Sequence, residues 1–139
     1  MKNSNYTQIN SASEACTLIG DINWEDAFIK ESHFYSPSFM MKDGIIAADS
    51  KLLMKISICL PENNNKIIEF KFKEIEEICL LAMIDIWPRI IIRHNEVEFK
   101  FSQESNYSIR CKSIYFRFLE DYLSSDCPIY TDEDIYFKG

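Results

Sequence analysis

Leu52-Leu53-Met54-Lys55-Ile56-Ser57-Ile58-Cys59-Leu60 is the run that decides the fold. Leu52, Met54, Ile56, Ile58 and Leu60 recur at every second position, and alternate side chains of an extended chain leave on the same face. The spacing predicts a strand with one apolar face. The run stops at Pro61-Glu62-Asn63-Asn64-Asn65, a loop by composition. Beyond it, Ile68, Phe70 and Phe72 alternate with Glu69, Lys71 and Lys73, so a second strand follows. Two such runs around a short loop predict an antiparallel hairpin, with a loop somewhat longer than the tightest turns.

Toward the C-terminus two segments read two ways. Ile75, Ile78, Cys79, Ala82, Met83 and Ile86 fit a helical stripe, while Ile78 to Ile84 equally fits a strand buried on both faces. Strand is the preferred reading, because the neighbours are strands and Pro88 closes the run. Arg89 to His94 is short and β-branched, Asn95-Glu96 is a turn, and Val97, Phe99 and Phe101 alternate with polar residues. Tyr107, Ile109 and Cys111 begin a last run. It either continues as a strand through Ile114, Phe116 and Phe118 after a bulge, or becomes a C-terminal helix on Cys111, Ile114, Tyr115, Phe118 and Tyr122.

Toward the N-terminus, Phe28 to Tyr35 reads as a strand ended by Pro37, with Trp24 and Phe28 as core anchors. Lys42-Asp43-Gly44 is a turn signal. Ser11 or Ser13 is placed to cap a short helix carrying Ala12, Ala15, Cys16 and Ile19 and ending at Gly20. Residues 1–10 are polar and expected to be loose. A chain of 139 residues holds one domain. Its 14% aromatic content favours strands. The fold class is therefore mainly β: a single-domain antiparallel sheet, a meander folded as a sandwich or half-barrel, with a short N-terminal helix.

Charge is unevenly placed. Glu120 to Phe137 holds Glu120, Asp121, Asp126, Asp132, Glu133 and Asp134 with no Lys or Arg. Without those six, the remaining 16 acids nearly balance 15 bases, so most of the net charge of −7 sits in residues 120–139. The same stretch carries Tyr122, Tyr130 and Tyr136. Acid interleaved with rings suits a docking surface for a basic partner, where charge steers and rings anchor. The plainer reading is a solvated face with a few core rings. An acidic chain opposes direct nucleic-acid binding, which needs a positive footprint, and opposes docking on anionic lipid. Arg110, Lys112 and Arg117 would form only a solvated stripe.

Motifs for chemistry are sparse. Glycine occurs only at positions 20, 44 and 139, so no phosphate-cradling loop exists. Neither GxSxG nor HExxH occurs, and no CxxC pair marks a zinc site. No cofactor, metal or catalytic residue is expected, and the chain is not expected to be an enzyme. Glu31 and His33 share a strand face and could orient an imidazole as a base, although such a histidine is more often simply half-buried and hydrogen-bonded. A polar start without a leader pattern, no run long enough to span a bilayer, and five widely spaced cysteines together suggest the cytoplasm.

The stretch from Trp24 to Ser38, followed by Asp43-Gly44 and Asp49, resembles small bacterial immunity proteins of polymorphic toxin systems, including contact-dependent growth inhibition. Trp24, Asp26, Ala27, Lys30 and Glu31 match a W-x-D-A-x-x-K-E start. Ser36-Pro37-Ser38 matches S-P-S, and Ile68 to Glu77 matches I-E-F-x-F-x-x-I-E-E. Ser113 to Leu119 is similar to a closing piece, and the likeness covers roughly residues 21–120. The resemblance implies a mainly β protein that binds and occludes a cognate toxin domain, many of which are basic nucleases. It supplies no map of the inhibitory face. The alternative is a β-sandwich that binds a ligand or assembles a complex without catalysis.

Overall fold

The computed structural model describes residues 5–35, 39–40, 46–47, 52–79, 86–102 and 107–119. In chain order these form β1 (Thr7–Gln8), α1 (Ala12–Gly20), β2 (Phe28–Tyr35), β3 (Phe39–Met40), β4 (Ile46–Ala47), β5 (Leu53–Leu60), β6 (Lys66–Cys79), β7 (Arg89–Arg93), β8 (Glu96–Lys100) and β9 (Ser108–Leu119). The decisive hairpin is β5–β6, with Leu60 opposite Lys66 and Met54 opposite Phe72. Asn64 and Asn65 turn its loop at φ 57 and 55, left-handed values that asparagine tolerates. The Asn63 side-chain amide donates to Asn23 O and accepts from Asn23 N, tying the loop to the segment before β2.

Seven strands form one antiparallel sheet in the order β2-β5-β6-β9-β8-β7, with β1 added on β9, and β3 pairs β4 in a separate ribbon. The mainly β, antiparallel expectation holds, and β2 and β7 leave the described sheet open. The order departs from a simple meander, because β9 inserts between β6 and β8. One edge of β9 is shared: β8 takes Ser108 to Cys111, and β1 takes Tyr115 and Phe116. The sheet is strongly curved. Phe99 of β8 meets Phe70 of β6 at a ring distance of 4.9 Å, although β9 lies between them. Strands two places apart in a flat sheet lie roughly 9–10 Å from one another. This curvature is that of a half-barrel.

Over their described residues, both ambiguous segments are strand. β6 remains strand to Cys79, and residues 80–85 of the segment lie outside the described residues. Residues 108–119 are strand, so the helix reading fails there. The cause of the ambiguity is a change of parity. Phe70 and Phe72 are buried at even positions of β6, but the next buried residue is Ile75. In β9 the buried positions pass from Ile109 and Cys111 to Ile114. The change falls between the pairs Lys73–Ser113 and Ile75–Cys111, where Glu74 takes the left-handed φ of 54. A bulge follows between Ile75 and Glu77.

The core gathers Met54, Ile56, Ile58, Leu60, Ile68, Phe70 and Phe72 with Phe99, Phe101, Ile109, Cys111 and Ile114. Phe70, Phe72, Phe99 and Phe101 form a chain of tilted and edge-on rings, favoured geometries for aromatic pairs. Of the two expected anchors, Trp24 is 3% exposed and donates Nε1–H to Ile19 O at 3.0 Å. Phe28 is not an anchor: it is 51% exposed at the edge of the sheet. Ser11 is the helix cap, accepting from Glu14 N, while Glu14 Oε2 accepts from Asn10 N. The N-terminus is also corrected from residue 6 onward. Thr7 and Gln8 pair with β9, and Ile9 is buried and donates its N–H to Ile114 O.

Candidate binding face of the sheet

One face of β5 and β6 is the apolar core; the other is set by the same alternation. Residues directly opposite in an antiparallel sheet share a face, so the register lays out rows. Glu31, Ser57, Glu69 and Arg117 form one row across β2, β5, β6 and β9. His33, Lys55, Lys71 and Tyr115 form the next. Lys73 and Ser113 belong to a third.

This polar face is not a solvated surface. Ser57 and Glu69 are 0% exposed and Lys55 is 6% exposed. Tyr6, carried in by β1, lies across it. Its hydroxyl donates to Glu69 Oε1, which also accepts from Arg117 Nε at 3.0 Å. Three cations surround the Tyr6 ring: Arg117 Cζ at 4.3 Å, Lys71 Nζ at 4.6 Å and Lys55 Nζ at 5.9 Å. Lys73 Nζ lies 4.8 Å from the Tyr115 ring. Burial holds the Lys71 ammonium below its ordinary pKa, and Lys73, Lys55 and Arg117 push it further down, against a weaker pull from Glu69.

Of the three basic residues expected to form a solvated stripe on β9, Arg110 and Lys112 do face solvent, in exposed ion pairs, and Arg117 does not. Arg110 pairs with Glu77 at 3.1 Å and Glu96 at 3.7 Å, Lys112 with Glu76 at 3.7 Å, and Arg117 with buried Glu69. Glu31 and His33 do share the polar face, and His33 is half-buried. Cys16, Cys59, Cys79 and Cys111 are free thiols. Of these only Cys111 is fully buried; burial pushes its thiol up to about 12 and it donates to Ser113 O. Among the described residues no His, Cys, Asp and Glu cluster could hold a metal ion, and no helix is long and apolar enough to cross a membrane.

The sequence-expected partner-binding residues Glu120, Asp121, Tyr122, Asp126, Tyr130, Asp132, Glu133, Asp134 and Tyr136 all lie outside the described residues. Sequence reasoning missed the cationic cluster. One signal for it existed: counting back across the Pro61–Asn65 loop places Lys55 opposite Lys71. No family model, curated protein or solved structure matches this chain.

Proposed function

We propose that the chain is a non-catalytic immunity protein that binds a cognate toxin domain and occludes it stoichiometrically. One observation supports this reading above the others: among the described residues, several that carry the resemblance to immunity proteins hold framework positions. Trp24 is buried, and Asp26 adopts φ 60 in a turn closed by Ala27 N–H to Trp24 O at 3.0 Å. Ile68, Phe70, Phe72 and Ile75 are buried in the strand that matches the second motif. A shared framework with a variable surface suits a group whose members each meet a different partner. In this reading Asp126, Asp132, Glu133 and Asp134 steer a basic toxin, and Tyr130 and Tyr136 anchor it.

Affinity capture from the cells that make the chain tests this, with the intact chain beside a D132N/E133Q/D134N version. A basic protein is recovered at one copy per chain by the intact bait, and its toxicity is suppressed when the chain is co-produced. Recovery by both baits keeps the function and removes residues 132–134 from the interface. A partner whose effect on growth is unchanged by the chain sinks the proposal. The buried cationic face favours the second reading, a module that holds a small ligand, and is taken up next.

A further inference from the structure

The polar face of the sheet contains an electrostatic arrangement that ordinary surface design avoids. Lys55 and Lys71 stand directly opposite each other on neighbouring strands. Like charges in that position are destabilising. Here the cost is raised by burial, since Lys55 is 6% exposed and Lys71 is half-buried. Arg117 and Lys73 add two more cations in the adjoining rows. Among the described residues two carboxylates share this face: Glu69, whose Oε1 receives both Arg117 and Tyr6 while its Oε2 is buried without a hydrogen-bond partner, and Glu31 in the same row. Neither Lys71 nor Lys73 has a carboxylate within 4.0 Å among the described residues; each lies against a tyrosine ring instead. A ring face attracts a cation but supplies no counter-charge.

We propose that the Lys71 cluster is a binding site for a phosphate group, with Lys71 at its centre, Lys73 and Lys55 beside it, and Tyr6 and Tyr115 as its aromatic walls. A phosphate suits the site better than a single carboxylate for two reasons. The Lys71 and Lys73 ammonium groups, each set against a tyrosine ring, exceed what one monoanion balances. Each ammonium brings several rotatable donors, and phosphate offers more acceptor oxygens for them. The lowered affinity of Lys71 for its proton fits a lysine lacking its anion, and a bound dianion would reverse that effect. Glu69 has a separate role: it fixes Arg117 and Tyr6, and so keeps the Tyr6 ring over the lysines. The site is built from described residues alone and does not depend on the toxin-binding assignment.

Isothermal titration of the full chain in phosphate-free, low-salt buffer tests the site, using inorganic phosphate and glycerol 3-phosphate in parallel, with chloride as the ionic-strength control. One saturable site per chain is expected. Lys71→Met should weaken it on the order of tenfold or more, the loss of a charge-assisted contact. Lys112→Met, at an exposed ion pair, should leave it unchanged. Tighter binding of the ester than of inorganic phosphate would identify a phosphorylated metabolite as the ligand, and equal binding would identify the free ion. A thermal melt without ligand adds an independent readout: Lys71→Met should melt no lower than the parent chain, because it removes an uncompensated cation. Absence of saturable heat with both probes, equal weakening by Lys112→Met, or a clear fall in melting temperature for Lys71→Met would each overturn the proposal.

Discussion

Replacing Glu69 with Leu should destabilise the protein more than any other single change on the polar face. The Glu69 side chain is 0% exposed and that of Arg117 is 14% exposed, so their contact at 3.0 Å is a buried pair. Removing one member of such a pair strands the other charge, at a cost of about 3–5 kcal/mol. The surroundings place this pair toward the upper end. Without Glu69, Arg117 is left beside Lys71 and Lys55 around one ring, and the Tyr6 hydroxyl loses its acceptor. For a domain of this size each kcal/mol shifts the melting temperature by about 4 °C, so a fall of roughly 12–20 °C is expected. Glu69→Gln keeps the shape and an acceptor for Tyr6 and should fall less. The double change Glu69→Leu/Arg117→Leu should recover most of the loss, because a buried pair replaced by apolar groups is often near neutral. Urea titration with circular dichroism measures all three. A loss below about 1 kcal/mol for Glu69→Leu is what an exposed pair would give, and would refute the buried-pair reasoning. So would a double variant no more stable than the single one.

Three further outcomes follow from burial and backbone geometry. Trp24→Ala should lose about 3–5 kcal/mol and Phe28→Ala about 0.5 kcal/mol or less by urea titration, since Trp24 is 3% and Phe28 51% exposed; equal losses would contradict this assignment of the anchor. Glu74→Gly should gain up to about 1 kcal/mol, because glycine takes the left-handed φ of 54 without a Cβ clash, and Glu74→Val should lose stability. The opposite order would mean that Glu74 is unstrained. Cys111 should resist alkylation at pH 8 in the native protein while exposed Cys16 and Cys79 react. With its pKa raised from 9.0 to about 12, its contribution to stability is complete below pH 9 and is lost as pH climbs from there toward 12. Labelling of Cys111 as fast as Cys16 would refute the burial assigned to it.

The parts of the fold that were legible in the sequence are those that local periodicity controls. The β5–β6 hairpin was readable because its core side chains fall at every second position and its loop is rich in asparagine. Ser11 and Ser13 both offered a cap for α1, and only the structure selects Ser11. β9 was harder for a definite reason. The change of parity at Glu74 and Lys112 spaces Cys111 and Ile114 three apart, which imitates a helical stripe. Phe28 reads as apolar whether it lies in the core or on an open edge, and its place at the edge is set by non-local pairing. The position of β9 at the centre of the sheet leaves no periodic trace. The cationic cluster was hidden for a related reason: Lys55, Lys71 and Lys73 look like ordinary solvent-facing residues of alternating strands. Only the register, with Arg117 and Tyr6 arriving from distant parts of the chain, brings them together. The acidic stretch was conspicuous by composition alone.

The late insertion of β9 gives the protein a timetable. During synthesis the β5–β6 hairpin emerges with one long edge of β6 unmated, and Phe70 and Phe72 lack the Phe99 ring that later covers them. The strand that mates this edge is complete only at Leu119, about 40 residues after Cys79. At about 5–20 residues per second, the nascent chain carries an open, aromatic-rich strand for roughly 2–8 s before its partner has been made. Chaperone demand and the tendency to aggregate should therefore follow the translation speed of residues 80–119 more closely than that of any other part of the message.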